Sequence, residues 1–474
     1  MKIYKLLLLL FIFFMIAITC YLYGDNPLQL IGIILLLFLI LGSFILTDKL
    51  VFFEPITLFN LYNILGVLGM LYYYSDGFYK SKYIQETLFT EEIDTLFTKA
   101  IYYYLTGYLM TLLGYYMIRK KLNLKFEISI KNTQVFKLVI NVFLILCYMN
   151  FVFIVFKFAG GNVLQYFQNV AVRQHEFTDN GGTTIFYNLG YIAIFLWQFL
   201  DFKMNRSRWF FVINFIAVFA IKFSTGRITQ TLFFLIAVLA IEYFLRFDFF
   251  KKHTKKILSS FSILGVLAIL MYFYRLYSSI VFINQANTSF VGFVTEKFRY
   301  AEFTESLIEK GNIPNIPIFM KIIDSWGSDV GYFYGSSLVS WIFNFIPMDR
   351  RFMHLPPSEI IKELWYHNIQ GGALPPTGYG EMYANFGFMG IVFGMFFFGL
   401  LMAYTYNLLR KYNNMWYLLI FVNISVFFFS IYPKGEFDNM SLFLILPYLF
   451  PYICILVLNH LFSSNTAHNE PKGL

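Results

Sequence analysis

The chain has 474 residues, a net charge of +9 and a mean hydropathy of +0.62, with 58% hydrophobic and only 13% charged residues. Soluble proteins carry about 25% charged residues, so this chain has half the usual material for a water-facing surface. Apolar runs long enough to cross a bilayer, about 20 residues each, recur from end to end. That excludes a soluble enzyme, a disordered protein and a disulfide scaffold, and leaves a polytopic membrane protein. The basic excess does not indicate nucleic acid, because membrane proteins collect Lys and Arg on cytoplasmic loops and no basic segment is interleaved with stacking aromatics in a soluble domain. Cys20, Cys147 and Cys454 fall inside apolar runs, without metal-ligand spacing or a disulfide framework.

In chain order the apolar runs predict about twelve transmembrane helices, over residues 4–23, 28–46, 54–74, 98–118, 136–157, 183–201, 209–223, 228–246, 257–282, 386–408, 415–432 and 441–461. The first follows Lys2 and Lys5 but lacks a small-residue cleavage site, and reads as an uncleaved anchor. With the N-terminus inside, the inner segments hold Lys49, the Arg119–Lys131 group, Lys203 to Arg208, Arg246 to Lys256, Arg410, Lys411 and Lys472. The short outer loops hold only Lys80, Lys82, Arg173, Arg227 and Lys434 away from span ends. This asymmetry places both termini in the cytoplasm. The spans at 209–223 and 228–246, joined by Ser224–Arg227, read as a tight helical hairpin.

Three regions follow: helices one to nine over residues 1–283, one large extracytoplasmic loop over 284–385 between helices nine and ten, and helices ten to twelve with a tail over 386–474. The loop holds seven of the thirteen prolines and three of the six tryptophans, so it is expected to have structure of its own. Within it, Thr295–Lys310 reads as an amphipathic helix near the membrane surface. Leu338–Pro347 is apolar but too short to cross. Pro357–Asn368 reads as a short helix, and Gly371–Gly380 as turn or loop.

Ionisable groups expected at the outer face are the candidates for chemistry. Arg173 sits with Gln174, His175, Glu176 and Asp179; Arg227 follows Ser224-Thr225-Gly226; Arg275 lies near the outer end of span nine; Arg350 and Arg351 close the apolar stretch of the loop, ahead of His354. Each alone is also explained as a solvated loop residue or as an interfacial anchor whose guanidinium snorkels to lipid phosphates. Together they suit a diphosphate, which arginine grips bidentately. Glu381, in Gly378-Tyr379-Gly380-Glu381-Met382-Tyr383, lies where small residues give a ligand close access to backbone. No P-loop, dinucleotide fingerprint, HExxH or CxxC pair occurs, so no cofactor and no metal are expected. Glu92-Ile93-Asp94 reads as an exposed helical face rather than a metal motif.

The run Gly335-Ser336-Ser337-Leu338, Phe345-Ile346-Pro347, Arg350-Arg351, Pro356, Pro376-Thr377-Gly378-Tyr379-Gly380-Glu381-Met382-Tyr383-Ala384-Asn385-Phe386-Gly387 and Gly390 resembles the Wzy-type O-antigen polymerases of bacterial oligosaccharide repeat units. The Ser224–Arg227 hairpin is similar to the small-residue-plus-arginine signature of that family and of the related O-antigen ligases. The family's spacing of an arginine followed by glycine eleven residues on is not kept, since Thr184 follows Arg173 and Ile361 follows Arg350 at that distance.

The resemblance implies an all-α, GT-C-like glycosyltransferase of the bacterial inner membrane, acting at its outer face in lipopolysaccharide O-antigen or capsule synthesis. Its substrate would be an undecaprenyl-diphosphate-linked oligosaccharide, transferred en bloc from one lipid carrier to an incoming lipid-linked repeat unit. On this reading Arg227, Arg173 and Arg350 or Arg351, with Arg275 on the same basic face, hold the diphosphate. Glu381, or else His354, is the general base, and Tyr379 and Tyr383 stack on sugars. Membrane lipid, a chain-length regulator and a flippase of the same pathway are the candidate partners. A ligase-type transferase and a lipid-linked oligosaccharide flippase are the alternatives.

Overall fold

A computed structural model of the chain describes residues 26–46, 52–77, 82–85, 88–120, 132–168, 181–204, 209–225, 228–253, 315–339, 357–366, 374–412, 414–429, 432–435 and 450–460, with residues 128, 130 and 437 and short pieces between 259 and 295. Among these residues there is no β-strand, only an isolated bridge between Trp326 and Val330. The main helices are α1 (Pro27–Leu46), α2 (Pro55–Tyr72), α3 (Ile93–Ile118), α4 (Thr133–Ala159), α5 (Gly181–Met204), α6 (Trp209–Phe223), α7 (Ile228–Leu245), α8 (Ile316–Ser325), α9 (Pro357–Trp365), α10 (Gly378–Met389), α11 (Met395–Tyr412) and α12 (Met415–Asn423). Among the described residues, four helical stretches are long and apolar enough to cross a membrane: Pro27–Phe44, Pro55–Ser75, Thr133–Ala159 and Gly378–Tyr412. The first predicted span, the Thr295–Lys310 helix beyond Thr295 and the apolar stretch after Val339 lie outside the described residues.

Local chemistry sets the helix ends. α2 starts on Pro55, whose missing N–H costs nothing in the first turn. The Asn132 side chain accepts the N–H groups of Gln134 and Val135 at the start of α4. α4 stops at Gly160, which adopts a left-handed conformation (φ 54°) and returns its N–H to Phe156. The Asn315 side chain caps α8.

The chain forms two compact units. The first comprises residues 1–122, 301–408 and 424–442; the second comprises 123–300, 409–423 and 443–474.

In the first unit α3 is the central helix, packing against α1, α8, α10 and the π-helical turn Gly390–Gly394. Tyr104, Tyr108, Thr111 and Tyr115 follow the i, i+4, i+7, i+11 pattern of one helical face, and all are buried. Their hydroxyls are spent inside the unit: Tyr104 donates to Asn63 (2.8 Å), Tyr108 to Asn60 (2.6 Å) and Tyr115 to Glu54. Glu54 is fully buried and also paired with the Arg119 guanidinium through two nitrogens. Partner groups from other segments therefore satisfy the three tyrosine hydroxyls, which the apolar surroundings would otherwise penalise.

On the adjacent side of α3, Gly107 and Gly114 sit where neighbours leave no room for a side chain. A Cβ on Gly114 would lie 2.1 Å from the Phe396 carbonyl oxygen of α11. The relation is reciprocal, since a Cβ on Gly399 of α11 would lie 2.2 Å from the Thr111 carbonyl oxygen.

In the second unit α5 packs along α4 and also touches α6 and α7, while α7 meets α12. The face of α5 from Tyr191 to Phe199 is almost wholly buried. Tyr191 stacks on Phe234 of α7 (centroids 4.3 Å apart, planes 11° apart), locking those two helices together.

Two expectations are corrected. Residues 378–380, expected as turn or loop, open α10, because the Thr377 hydroxyl accepts the Gly380 N–H and the Thr377 carbonyl accepts that of Glu381. The large-loop region also contains a helix that periodicity did not reveal: all ten residues of α8 are buried, against α3 and α10. Its polar side chains, Lys321, Asp324 and Ser325, are buried along with the apolar ones, and at ten residues it is too short to stand out as a span.

Candidate functional site

The candidate site belongs to the first unit and is built on α10. Thr377 enters the helix at φ 65°, a left-handed conformation that is rare for a β-branched residue. It is held there from behind by Gly435, at φ 110°, where a Cβ would come within 2.8 Å of the Thr377 nitrogen. One turn on, Glu381 is completely buried. Its carboxylate accepts the Ser337 hydroxyl (3.1 Å) and the Phe437 backbone N–H (2.9 Å). Asn385, four residues further along the same face, donates to the Ser337 oxygen (2.7 Å) and to the Glu381 carbonyl (2.8 Å), while its own oxygen accepts the Gly335 N–H. Glu381 and Asn385 thus clasp Gly335–Ser337 from both ends. The fold joins the two halves of the Gly335-Ser-Ser and Gly378–Gly387 signature, which lie about forty residues apart in sequence.

Helix geometry breaks just after Asn385. Phe386 and Gly387 leave helical values (Gly387 φ 61°), and a π-helical turn follows at Gly390–Gly394. The bend brings the chain back on itself so closely that a Cβ on Gly390 would lie 2.0 Å from the Met382 carbonyl oxygen. Kinks of this kind have local causes, here a left-handed glycine and a π-turn, and π-turns often mark functional sites.

Along this bent helix runs an open groove of about 500 Å³, lined by Leu338, Met382, Met389, Phe393, Phe397 and Leu401 among others. Its upper wall includes Phe437, whose N–H holds Glu381, and Leu338, next to Ser337. The groove is apolar, and Met389, Phe393 and Phe397 in its wall are exposed.

Tyr383 is half-buried at the rim of α10, 5.8 Å from Tyr103 and 6.4 Å from Tyr332 between ring centroids. Tyr332 leads on to Tyr334, which is 76% exposed and so presents an open aromatic face. Tyr379 points the other way. Its ring lies 3.9 Å from that of Tyr104 and its hydroxyl donates to Asn63 (2.8 Å), so its surroundings are core rather than groove. Arg173, Arg227, Arg275, Arg350, Arg351 and His354 lie outside the described residues. Sequence reasoning did not single out Ser337, Asn385, Tyr103, Tyr332 or Tyr334. Ser337 and Asn385 were visible only as motif letters, and the three tyrosines carry no signal among the 36 in the chain.

A second polar cluster in this unit locks α8 to the segment before α3. The Asp324 carboxylate accepts the backbone N–H groups of Thr90 (3.1 Å) and Glu91 (3.2 Å) and the Thr90 hydroxyl. The Lys321 ammonium donates to Asp324 (2.9 Å) and to the Leu88 carbonyl (2.7 Å), beneath the rings of Phe89 and Trp365. Burial pushes the Asp324 carboxyl up, but the Thr90 and Lys321 hydrogen bonds outweigh it, and the group sits below its ordinary value. A depressed folded pKa contributes stability that is present above the unfolded value of about 3.9 and is lost as pH falls through the folded value. Thermal unfolding of the detergent-solubilised chain between pH 6 and 3 is expected to show an acid-side loss of stability that is smaller in Asp324→Asn. An identical acid slope in the variant would remove Asp324 from the account.

Fold and site together define a class: a helical protein with membrane-spanning segments, carrying a buried carboxylate beside an apolar groove. No family model matches the chain, and no curated protein or solved structure does.

Proposed function

We propose that the chain polymerises undecaprenyl-diphosphate-linked oligosaccharide repeat units at the outer face of the bacterial cytoplasmic membrane, as a GT-C-like transferase of about twelve spans with both termini inside. The observation that carries this reading is the Glu381–Ser337–Asn385 clasp at the end of an apolar groove. A carboxylate fixed in a dry site is what acid–base chemistry on a lipid-borne substrate requires, and the groove offers an apolar path for a carrier chain.

In this reaction the acceptor sugar's hydroxyl oxygen attacks the anomeric carbon of the growing glycan, and the bond from that carbon to the carrier diphosphate breaks. The hydroxyl proton goes to Glu381, directly or by way of the Ser337 hydroxyl, which already stands at hydrogen-bond distance from the carboxylate. Undecaprenyl diphosphate leaves with its developing charge balanced by guanidinium groups, for which Arg227, Arg173 and Arg350 or Arg351 are the sequence candidates. Tyr383 with Tyr103, Tyr332 and Tyr334 forms an aromatic rim suited to sugar faces.

The test is incubation of the purified full chain with lipid-linked repeat units, resolved by chain length. Longer lipid-linked chains are the expected product. Transfer to a different acceptor would make the protein a ligase, and movement across vesicles without new bonds would make it a flippase.

A further inference from the structure

Folding gives no reason for a tyrosine at position 334. Its backbone is left-handed, at φ 49°, a region that glycine and asparagine enter readily and bulky residues seldom do. Its ring gains little from packing in return. The side chain is 76% exposed, and the ring that neighbours it among the described residues is that of Tyr332, edge-on, with centroids 6.3 Å apart and planes 73° apart. Tyr332 itself is different. Its hydroxyl fills the space that a Cβ would need on Gly327 (2.5 Å) and on Gly387 (3.1 Å), and its ring also meets that of Tyr383. Tyr332 is a packing residue, and Tyr334 is not. Strained residues that their surroundings hold in place cluster at active sites and ligand clamps.

The strained backbone is held by the clasp around Glu381. The Phe333 N–H donates to the Ala384 carbonyl (3.0 Å), the Tyr334 N–H to the Asn385 carbonyl (3.1 Å) and the Gly335 N–H to the Asn385 side-chain oxygen (2.8 Å). Both carbonyls belong to the residues just before the break in α10 at Phe386 and Gly387. The Asn385 side chain also donates to the Ser337 oxygen, and the Ser337 hydroxyl donates to Glu381. Tyr334 is therefore fixed through its backbone, three residues from the hydroxyl that meets the carboxylate, while its ring stays open. A rigidly mounted aromatic face beside a proton acceptor suits a sugar, whose C–H face lies against the ring while its hydroxyls remain free.

We infer that Tyr334 is the acceptor-binding residue: its ring carries the terminal sugar of the incoming repeat unit and sets that sugar's hydroxyl at Ser337. This assignment rests on the polymerase reading for its choice of ligand. It carries a consequence that a packing role does not, because removing the side chain relieves the backbone and removes the sugar platform at the same time.

The test measures binding and stability and needs no turnover. The probe is the repeat-unit oligosaccharide freed from its carrier by mild acid, which keeps the accepting hydroxyl and lacks the leaving group. The full chain in detergent is titrated with it, and melting temperatures are recorded alongside. Tyr334→Gly is expected to weaken binding about fivefold or more and to melt at or above the wild-type temperature, since glycine takes the left-handed backbone without strain. Tyr334→Asn, which also tolerates that backbone, is expected to behave alike and is judged by the same criteria if the glycine variant does not fold. Tyr334→Trp, which keeps an aromatic face, is expected to stay within about threefold of wild type. A wild-type chain that does not bind the freed oligosaccharide overturns the assignment. Equal affinity in wild type and Tyr334→Gly does so too, and leaves Tyr334 as an interfacial anchor. Weaker binding accompanied by a lower melting temperature in both the Gly and Asn variants reports a structural role and overturns it as well. A chain that elongates glycans yet binds the oligosaccharide without regard to Tyr334 sinks this inference alone. A chain that binds through Tyr334 but never elongates sinks the polymerase reading alone.

Discussion

Glu381→Gln is expected to abolish elongation of lipid-linked repeat units, by at least about a hundredfold, the lower range of general acid–base contributions, while leaving a folded protein. Gln retains one carbonyl oxygen to accept from Ser337 or from the Phe437 N–H, so the clasp loses part of its bonding but keeps its shape. What it cannot do is take up a proton. Glu381→Ala differs in kind. It leaves both the Ser337 hydroxyl and the Phe437 N–H without this acceptor in a buried site, each omission costing about 1–3 kcal/mol, so stability and activity fall together. The pair of variants separates chemistry from architecture: a Gln variant that runs at the wild-type rate while its melting temperature is preserved would leave Glu381 as a structural clasp only. Ser337→Ala supplies the intermediate case, removing a proton path and the hydrogen bonds to Glu381 and from Asn385 but no charge.

The second large effect is expected at the crossing of α3 and α11. Gly114→Ala and Gly399→Ala each place a methyl group about 2 Å from a backbone oxygen of the facing helix, where the favourable separation is about 3.5–4.0 Å. Backbone cannot swing aside as a flexible side chain can, so the helices must separate. Such overpacking costs about 1–3 kcal/mol and occasionally more. Separation would also drag on the Tyr104–Asn63–Tyr379 connection, since Gly107, on the same side of α3, already lies against the Tyr379 ring. The control is Gly42→Ala in α1, where a Cβ meets nothing within 4 Å and the better helix propensity of alanine should be neutral or slightly stabilising. Melting temperatures in detergent check the series. If Gly114→Ala and Gly42→Ala melt alike, the close crossing is not a feature of the native protein.

The membrane class was legible in the sequence because it depends on composition and run length, which need no partner: the apolar stretches at 27–44, 55–75 and 133–159 declare themselves as spanning helices whatever they pack against. The unusual composition of the Gly378–Gly387 run was legible in the same way, as glycines and tyrosines crowded around one carboxylate. Where that carboxylate's bonds go was not. Ser337 and Phe437 reach Glu381 from segments 44 and 56 residues away, and hydrogen-bond partners at such separations are chosen by tertiary contact rather than by any local pattern. Tyr379 and Tyr383 show the same limit: four residues apart on α10, they have the same composition signal, yet one is locked into the core by Asn63 and the other joins the aromatic rim. α8 is amphipathic but only ten residues long, and that its polar side, Lys321 and Asp324, is buried against the segment before α3 is decided by tertiary contact. Lys222 gives no local sign of which way its side chain faces, and only the fold sets it inward beside Asn188 and Tyr191. Hydrophobicity is a property each residue carries with it, so the sequence determined which stretches can enter a bilayer. Burial, pairing and charge placement are relations between residues, and only the fold decides those.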